Sequence, residues 1–343
     1  MSYTYRNQRG FSLAETMVGL TVGLIVAAAA LGTVSFMEAQ KRTAVGSNSA
    51  LVNGALGLLR VENETKLAGL GLMARREFAC PSLNLSYKNS VKRNGVALYP
   101  AEIVDGDAAS DTLSIAYLDS ITGAAYSQVL LPMASATAAI KLSNSPEAAV
   151  GSLLLLQDIT STQPCTIREI SGVTVTAFGI DVTHAGRDYN SDAYTTAVAY
   201  AENSRASISR SMVWTTFRVR NNTLEEVNNI TGETMVIADG VISLQAEYGT
   251  TDGSGTTITN WTPATGTYAA PSAANMLLVR AVRVGVLARS LEPDVACNTT
   301  VSSIALWDDG PTVDVSGNAQ WACYKYRTFN MVIPLVNVVM GTR

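Results

Sequence analysis

The sequence predicts an α+β protein: one long N-terminal helix packed on a large, antiparallel, β-rich body. Three observations lead there. A short basic leader ending in Arg9-Gly10 is followed by a run without charge from Thr16 to Met37. Apolar residues then recur at helical spacing to about residue 70. The remaining part, about 270 of the 343 residues, is rich in Thr, Ser, Ala and Val, with only 15% charged and 7% aromatic residues. That composition suits a β-rich extracytoplasmic body better than a charged cytosolic one.

The N-terminus is not built like a secretory signal, which places its small-residue cleavage site after the apolar core. Here the one plausible cleavage site, Gly10/Phe11, precedes that core, so cutting would leave the apolar segment on the mature protein. The 22 uncharged residues from Thr16 to Met37 make about 33 Å of helix, enough to cross a bilayer core. Glu15 is the anomaly at its start. An acidic side chain deep in a spanning helix costs about 2.5–3.5 kcal/mol, so it calls for a partner. Cleavage would free the Phe11 nitrogen, which stands at i and i+4 to Glu15. The pair can form within one chain or between neighbouring subunits, and a glutamate snorkelling to the interface is the simpler alternative. Gly19 and Gly23 form a G-x-x-x-G step of the kind that lets helices approach closely in lipid.

The string Arg9-Gly10-Phe11-Ser12-Leu13-Ala14-Glu15-Thr16-Met17-Val18-Gly19-Leu20 resembles the leader and mature N-terminus of type IV prepilins and type II secretion pseudopilins. The resemblance implies cleavage after Gly10 by a prepilin peptidase, N-methylation of Phe11, and a docking role for Glu15. It also implies the pilin fold, whose N-terminal helix is hydrophobic in its first half and amphipathic in its second. Thr16 departs from the aliphatic residue usual after the glutamate.

Past Met37, the residues Val45, Val52, Leu56, Leu59, Leu67 and Leu70 recur at mostly three, four or seven-residue steps, so they are predicted as the face that packs on the body. Glu62 and Lys66 form a favourable i,i+4 pair. Gly69 and Gly71 are predicted to end the helix, since glycine readily takes a left-handed cap. In the body, strands are predicted at Thr112–Leu118, Gly151–Ile159, Val173–Ile180, Ser207–Arg220, Leu278–Arg289 and Cys323–Val339, with Pro334 at an edge or bulge. Asn221-Asn222 is predicted to turn a hairpin. Asp252–Thr267 and Leu306–Gln320 read as loop excursions.

Charge near the apolar run is balanced, with Arg6 and Arg9 before it and Lys41 and Arg42 after it, so it gives no orientation. The cysteines point to an oxidising compartment. Cys80, Cys165, Cys297 and Cys323 lack metal spacing, and the chain has one histidine, His184. Of three pairings, Cys80–Cys165 and Cys297–Cys323 are favoured, because the second pair brackets a loop rich in Gly, Asp and Pro. No metal site or cofactor is expected. Asp105, Asp107 and Asp111 are weak calcium candidates without the full ligand loop, and surface turn carboxylates are the better reading. Catalysis is not expected: His184 sits in no recognisable triad order and is read as a solvated loop residue. No P-loop is present, so energy for assembly would come from a partner ATPase. Removing the leader with Arg6 and Arg9 takes the net charge from −4 to −6, and nothing favours nucleic acid.

A second set of strings is similar to the PilW group of minor pilins: Ala238 to Gly249, Val279 to Ser290, and Tyr326-Arg327-Thr328-Phe329 with Pro334 to Val338. This resemblance implies a minor pilin near the tip of a type IV pilus, priming assembly and supporting adhesion or twitching motility. Its implied partners are other major and minor pilins, the inner-membrane assembly platform and a tip adhesin. The alternatives are a J-type pseudopilin of type II secretion and a monomeric, membrane-anchored periplasmic binding protein. The expected organisation is a leader over 1–10, a transmembrane and filament-core helix over 11–37, its amphipathic continuation over 38–70, and a periplasmic or extracellular domain over 71–343. The protein is expected in the inner membrane before it enters the extracellular pilus.

Overall fold

A computed structural model describes residues 10–341, apart from 75–76, 79, 81, 122–125, 144, 146, 161, 192, 254 and 295–296. The leader up to Arg9 therefore lies outside the described residues. Helix α1 runs unbroken over Leu13–Leu67. At its C-terminus Ala68 turns out of the helix and Gly69, at φ +81°, takes the left-handed position next to it. The chain's end returns to finish this cap. Asn337 Nδ2 lies 3.2–3.3 Å from the carbonyl oxygens of Lys66, Leu67 and Ala68, giving acceptors of the last turn a donor.

Behind α1 the chain is β-rich, with mostly antiparallel sheets. The largest follows the order 234–239, 223–228, 205–220, 153–157, 165–169, 83–87, 90–96, with the 112–121 strand also lying against 205–220. One pairing departs from the antiparallel expectation: Cys165–Glu169 runs parallel to Leu83–Tyr87. A second sheet orders Asn260–Pro263, Val241–Thr250, Val279–Arg289 and Tyr326–Pro334, all antiparallel. The main core lies between α1 and these two sheets, where Leu58 and Val61 meet Phe217, Leu224, Val284 and Val286.

The face that α1 buries is not the predicted one. Gly46, Ala50, Gly54, Gly57, Val61, Thr65 and Ala68 are buried, at steps of four, four, three, four, four and three. By contrast Val45, Val52, Leu56, Leu59 and Leu67 are 41–59% exposed, and Leu70 is half-buried beyond the helix end. Small residues win the inner seam because they let the helix backbone come down onto the strands. A Cβ built at Gly54 would stand 2.3 Å from Phe329 Cε2, and one at Gly57 would stand 3.0 Å from Leu224 Cδ2.

Three further expectations are corrected. Val173–Ile180 is not one strand but parts of two, Gly172–Thr176 and Gly179–Thr183, joined by a turn at Ala177-Phe178 with Gly179 at φ +124°. The last strand covers only Tyr326–Pro334. Cys323 lies in a 3-10 turn before it, and a short helix, Val336–Gly341, follows Pro334. The two predicted loops carry the short strands Asn260–Pro263 and Thr312–Asp314.

Of the possible cysteine pairings, the structure contains Cys80–Cys165 and Cys297–Cys323. They close 85 and 26 residues of sequence, each contributing roughly 3–5 kcal/mol in the chain-entropy account. The first ties the segment leaving α1 to the largest sheet. The second closes the excursion that carries the Ser303–Ala305 and Thr312–Asp314 hairpin.

Candidate assembly interface

At the start of α1, Gly10, Phe11 and Glu15 are all exposed, Phe11 at 85%. Ser12 is the N-cap, in extended conformation, and its hydroxyl accepts from Glu15 N at 3.2 Å while Glu15 Oε2 accepts from Ser12 N at 3.1 Å. This is a reciprocal capping box. The partner expected for Glu15 was the Phe11 nitrogen, yet Ser12-Leu13-Ala14-Glu15 is itself the S-x-x-E signature of such a box. The carboxylate therefore has a local task, satisfying a backbone donor at the positive end of the helix. The Ser12 N–H belongs to the Phe11–Ser12 peptide, so cleavage at Gly10/Phe11 would leave the box intact.

The rest of the apolar half satisfies its own polar atoms. The hydroxyls of Thr16, Thr21, Thr33 and Ser35 donate to the carbonyls of Leu13, Val18, Ala30 and Gly32 at 2.8–2.9 Å. Thr16, the departure from the usual aliphatic residue, thus presents a satisfied hydroxyl. Ideal Cβ positions at Gly19 and Gly23 meet nothing within 4 Å, so the G-x-x-x-G step faces open space. Among the described residues α1 is the one helix long and apolar enough to cross a membrane, and none of its most apolar window is buried against the body.

Lower down, the helix is locked to the body by charge. Arg60 binds Glu226 through two bonds of 2.9 and 3.0 Å, and reaches Glu64 at 2.7 Å. Tyr117 donates to the other Glu64 oxygen at 2.7 Å. The hydrogen bonds that Arg60 donates to Glu226 raise the Arg60 pKa, and burial, reinforced by Glu64, raises that of Tyr117. Nothing in the sequence marks these residues except a helical pattern around Arg60 and Glu64.

The two remaining sequence candidates are structural. His184 is buried rather than solvated, with Nε2 2.9 Å from Ala138 O. Asp111 is likewise buried and not a surface carboxylate. It accepts from Gly106 N at 2.9 Å and Ala246 N at 2.8 Å, joining the 105–111 turn to the second sheet. Asp105 accepts from Asp107 N, and among the described residues no group of three or more acidic, cysteine or histidine side chains is disposed to hold a metal.

Burial raises the Asp111 pKa, with Asp105 and Glu247 adding to it and the two backbone donors opposing. A carboxyl that holds its proton more tightly when folded loses stabilisation as pH rises from the ordinary aspartate value, about 4, through the raised folded value, and stays level above it. Asp111→Asn is expected to remove this slope, so the stability of wild type relative to the variant should fall as pH rises through that window. Urea midpoints of both proteins from pH 3.5 upward check it; a flat difference would refute it.

Comparison with known families meets this geometry at both ends of the chain. Residues 5–31 match the Prokaryotic N-terminal methylation motif, and residues 208–337 match the family Type IV Pilus-assembly protein W. These two matches support a PilW-type minor pilin with a prepilin leader. No curated protein and no solved structure matches it. The PilW match spans the strands that receive α1, from the 205–220 strand to Asn337 at the helix cap. PilW proteins form a structural family, and similarity to that family fits interaction with other pilins and the assembly machinery. The methylation motif followed by an apolar helix fits anchoring in the inner membrane.

Proposed function

We infer that this protein enters a type IV pilus near its tip, where it primes assembly and supports adhesion or twitching motility. The observation that supports an assembly role most directly is the unburied face of α1. From Phe11 to Leu67 most of its larger apolar side chains, Leu58 and Val61 apart, are exposed, and Val45, Leu56 and Leu59 continue the exposed apolar surface past the membrane-length segment. A monomeric anchored binding protein would leave the second half of this stripe in water, whereas helices of neighbouring subunits would cover it. Gly10 and Phe11 serve cleavage and N-methylation in this reading. Glu15 docks each incoming subunit through its charge, and Gly19 and Gly23 ease helix contact. The body faces the periplasm before assembly. Other major and minor pilins, the prepilin peptidase, the assembly platform and a tip adhesin are its partners.

Because Glu15 also closes a capping box, Glu15→Val confounds docking with loss of the cap. Glu15→Gln separates them, since glutamine keeps the cap acceptor and removes the charge. The expected result is normal membrane insertion, with crosslinks to partner pilins and presence in sheared filaments both lost. Unchanged crosslinking and filament content would sink the docking role. Intact mass of the wild-type protein from membranes and sheared filaments should show loss of residues 1–10 and one added methyl group. An uncleaved protein confined to membranes would overturn the pilin processing scheme itself.

A further inference from the structure

The last strand of the second sheet has a free edge. Tyr326–Pro334 pairs with Val279–Arg289 on one side and ends the sheet on the other. Leu335 N donates to Arg280 O at 2.9 Å and Ser290 N to Lys325 O at 2.8 Å, so in an antiparallel ladder the odd-numbered residues from 325 to 335 face the paired strand. Tyr326, Thr328, Asn330 and Val332 therefore turn their N–H and C=O groups outward, where no backbone group of another described residue meets them. The register is unbroken over nine residues, with proline only at the last. Native edges are usually blunted, and two other outer strands follow that rule. Asn260–Pro263 is four residues long and ends in proline, while Ser90–Val96 carries Lys92 and Arg93 and shifts register twice against its neighbour.

Opposite this edge lies a second one. The chain from Thr299 to Leu306 runs beside Ala322 to Asn330 in the same direction: Thr299 N donates to Ala322 O at 3.0 Å, Thr299 Oγ1 to Tyr324 O at 2.7 Å, and Asn330 Nδ2 to Leu306 O at 3.0 Å. Bonds from Leu306 N to Pro311 O and from Val315 N to Ser302 O put the even-numbered residues from 302 to 306 on the ladder with Thr312–Asp314. Ser303 and Ala305 face away from it. Between the two edges lie adjoining clefts of about 600 and 480 Å³ that share Ala305 and Thr328. Both walls thus offer unpaired backbone donors and acceptors, and the group that completes such walls is the backbone of an extended peptide. Asp308 and Asp309, both exposed, line the Asn330 end. The cations at the other end are engaged, Lys325 with Asp294 and Arg327 with Ser47.

The edge strand also runs with α1. Arg327 reaches Ser47, Phe329 lies against Gly54, and Asn337 caps the turn at Lys66 to Ala68. Antiparallel pairing of this strand with its own copy would point the two helices in opposite directions, which subunits anchored in one membrane do not allow. We propose that the cleft receives an extended segment of a different pilin subunit as an added antiparallel strand, with a lysine or arginine of that segment against Asp308 and Asp309. Backbone bonds to Thr328 and Asn330 hold it, so the two bodies join side by side while their helices stay parallel. The proposal rests on the assembly role given above.

A benzophenone amino acid at position 332 of the full chain, in cells that assemble filaments, tests it. The expected adduct is a second protein whose peptides carry a prepilin methylation motif, attached through a segment holding Lys or Arg. Thr328→Pro removes an outward N–H and leaves the ladder to Val279–Arg289 intact, as edge strands tolerate. It should lower the adduct by about tenfold, the scale of one lost backbone hydrogen bond, whereas Thr328→Val keeps the N–H and should leave the adduct unchanged. Residue-resolved hydrogen exchange of the full chain in detergent, alone and in the crosslinked complex, reads the same pairing without a variant. The amides of Thr328 and Asn330 should slow in the complex, and those of Arg327 and Phe329 should be slow in both. An adduct unaffected by proline, with the Thr328 and Asn330 amides unprotected, would overturn the proposal, as would adducts with a second copy of this chain alone. Either failure leaves the pilus reading standing if the protein is present in sheared filaments. Absence of the wild-type protein from filaments would instead overturn that reading.

Discussion

Replacing Gly54 by leucine is expected to lift α1 off its sheet and to destabilise the protein by about 3 kcal/mol or more, beyond the usual range for overpacking. A Cβ at this position would lie 2.3 and 2.6 Å from two ring carbons of Phe329 and 3.0 Å from the Ala288 Cβ. The ring cannot swing aside freely, because Phe329 belongs to the strand paired with Val279–Arg289, where it stands opposite Val286. Gly54→Ala gains up to about 1 kcal/mol of helix propensity, yet should still lose stability because the clash is with its first added atom. Combining Gly54→Ala with Phe329→Ala should restore part of the loss, and the double-mutant cycle measures the coupling, expected at about 1 kcal/mol or more. Leu56→Ala, on the exposed face, should leave the fold within about 0.5 kcal/mol of wild type. Urea midpoints and limited proteolysis of the full chain in detergent check all of these. A Gly54→Leu protein with an unchanged midpoint would mean that the helix does not pack on the sheet along this seam.

That seam shows where sequence reading stops. Apolar periodicity weights large side chains and so selects Val45, Val52, Leu56, Leu59 and Leu67. The helix instead buries a seam made mostly of small residues, with Leu58 and Val61 beside them. Both stripes are periodic, and only the distance between helix and sheet decides between them; that distance depends on Phe329 and Leu224, more than 150 residues away in sequence. Local chemistry is far more legible. Asn221 and Asn222 take left-handed φ values of 52° and 60° and join two paired strands, as two short polar side chains in a hairpin turn should. The Val279–Arg289 strand begins within a residue of its predicted start, because its alternation is unbroken.

Elements defined by single breaking residues are harder to bound. β-branched residues run on both sides of the Ala177-Phe178 turn, so the pattern carries no mark of the reversal except Gly179. Pro334 suggests an edge or a bulge; it lies at the end of an edge strand, and a helix starts two residues later. Among site features, Ser12-Leu13-Ala14-Glu15 specifies a capping box by its spacing alone, so that contact is legible in the sequence. The role of Asn337 is not, because its acceptors lie about 270 residues away.

The second large effect is expected at Arg60, where one guanidinium serves two carboxylates. Glu64 and Glu226 are only 7% and 8% exposed, and Arg60 is the cation that bonds both. Arg60→Met keeps the apolar stem and leaves both anions without it. Removing one partner of a fully buried pair typically destabilises by about 3–5 kcal/mol. The Arg60 side chain is 39% exposed, so water compensates in part and about 2–3 kcal/mol is the expected loss. Arg60→Lys should fall between, because an ammonium reproduces neither the two-bond contact with Glu226 nor the reach to Glu64 in the same geometry. Adding Glu64→Gln and Glu226→Gln to Arg60→Met should recover most of the loss, as the stranded charges are then gone. That recovery separates an electrostatic lock from simple packing, since the amides fill the same space. The consequence reaches assembly, because Arg60, Glu226 and Tyr117 join the helix to two strands of the largest sheet. A subunit in which they are unlinked should be cut by protease between α1 and the body sooner than wild type. Equal urea midpoints for Arg60→Met and wild type would show that the pair of glutamates does not depend on this cation.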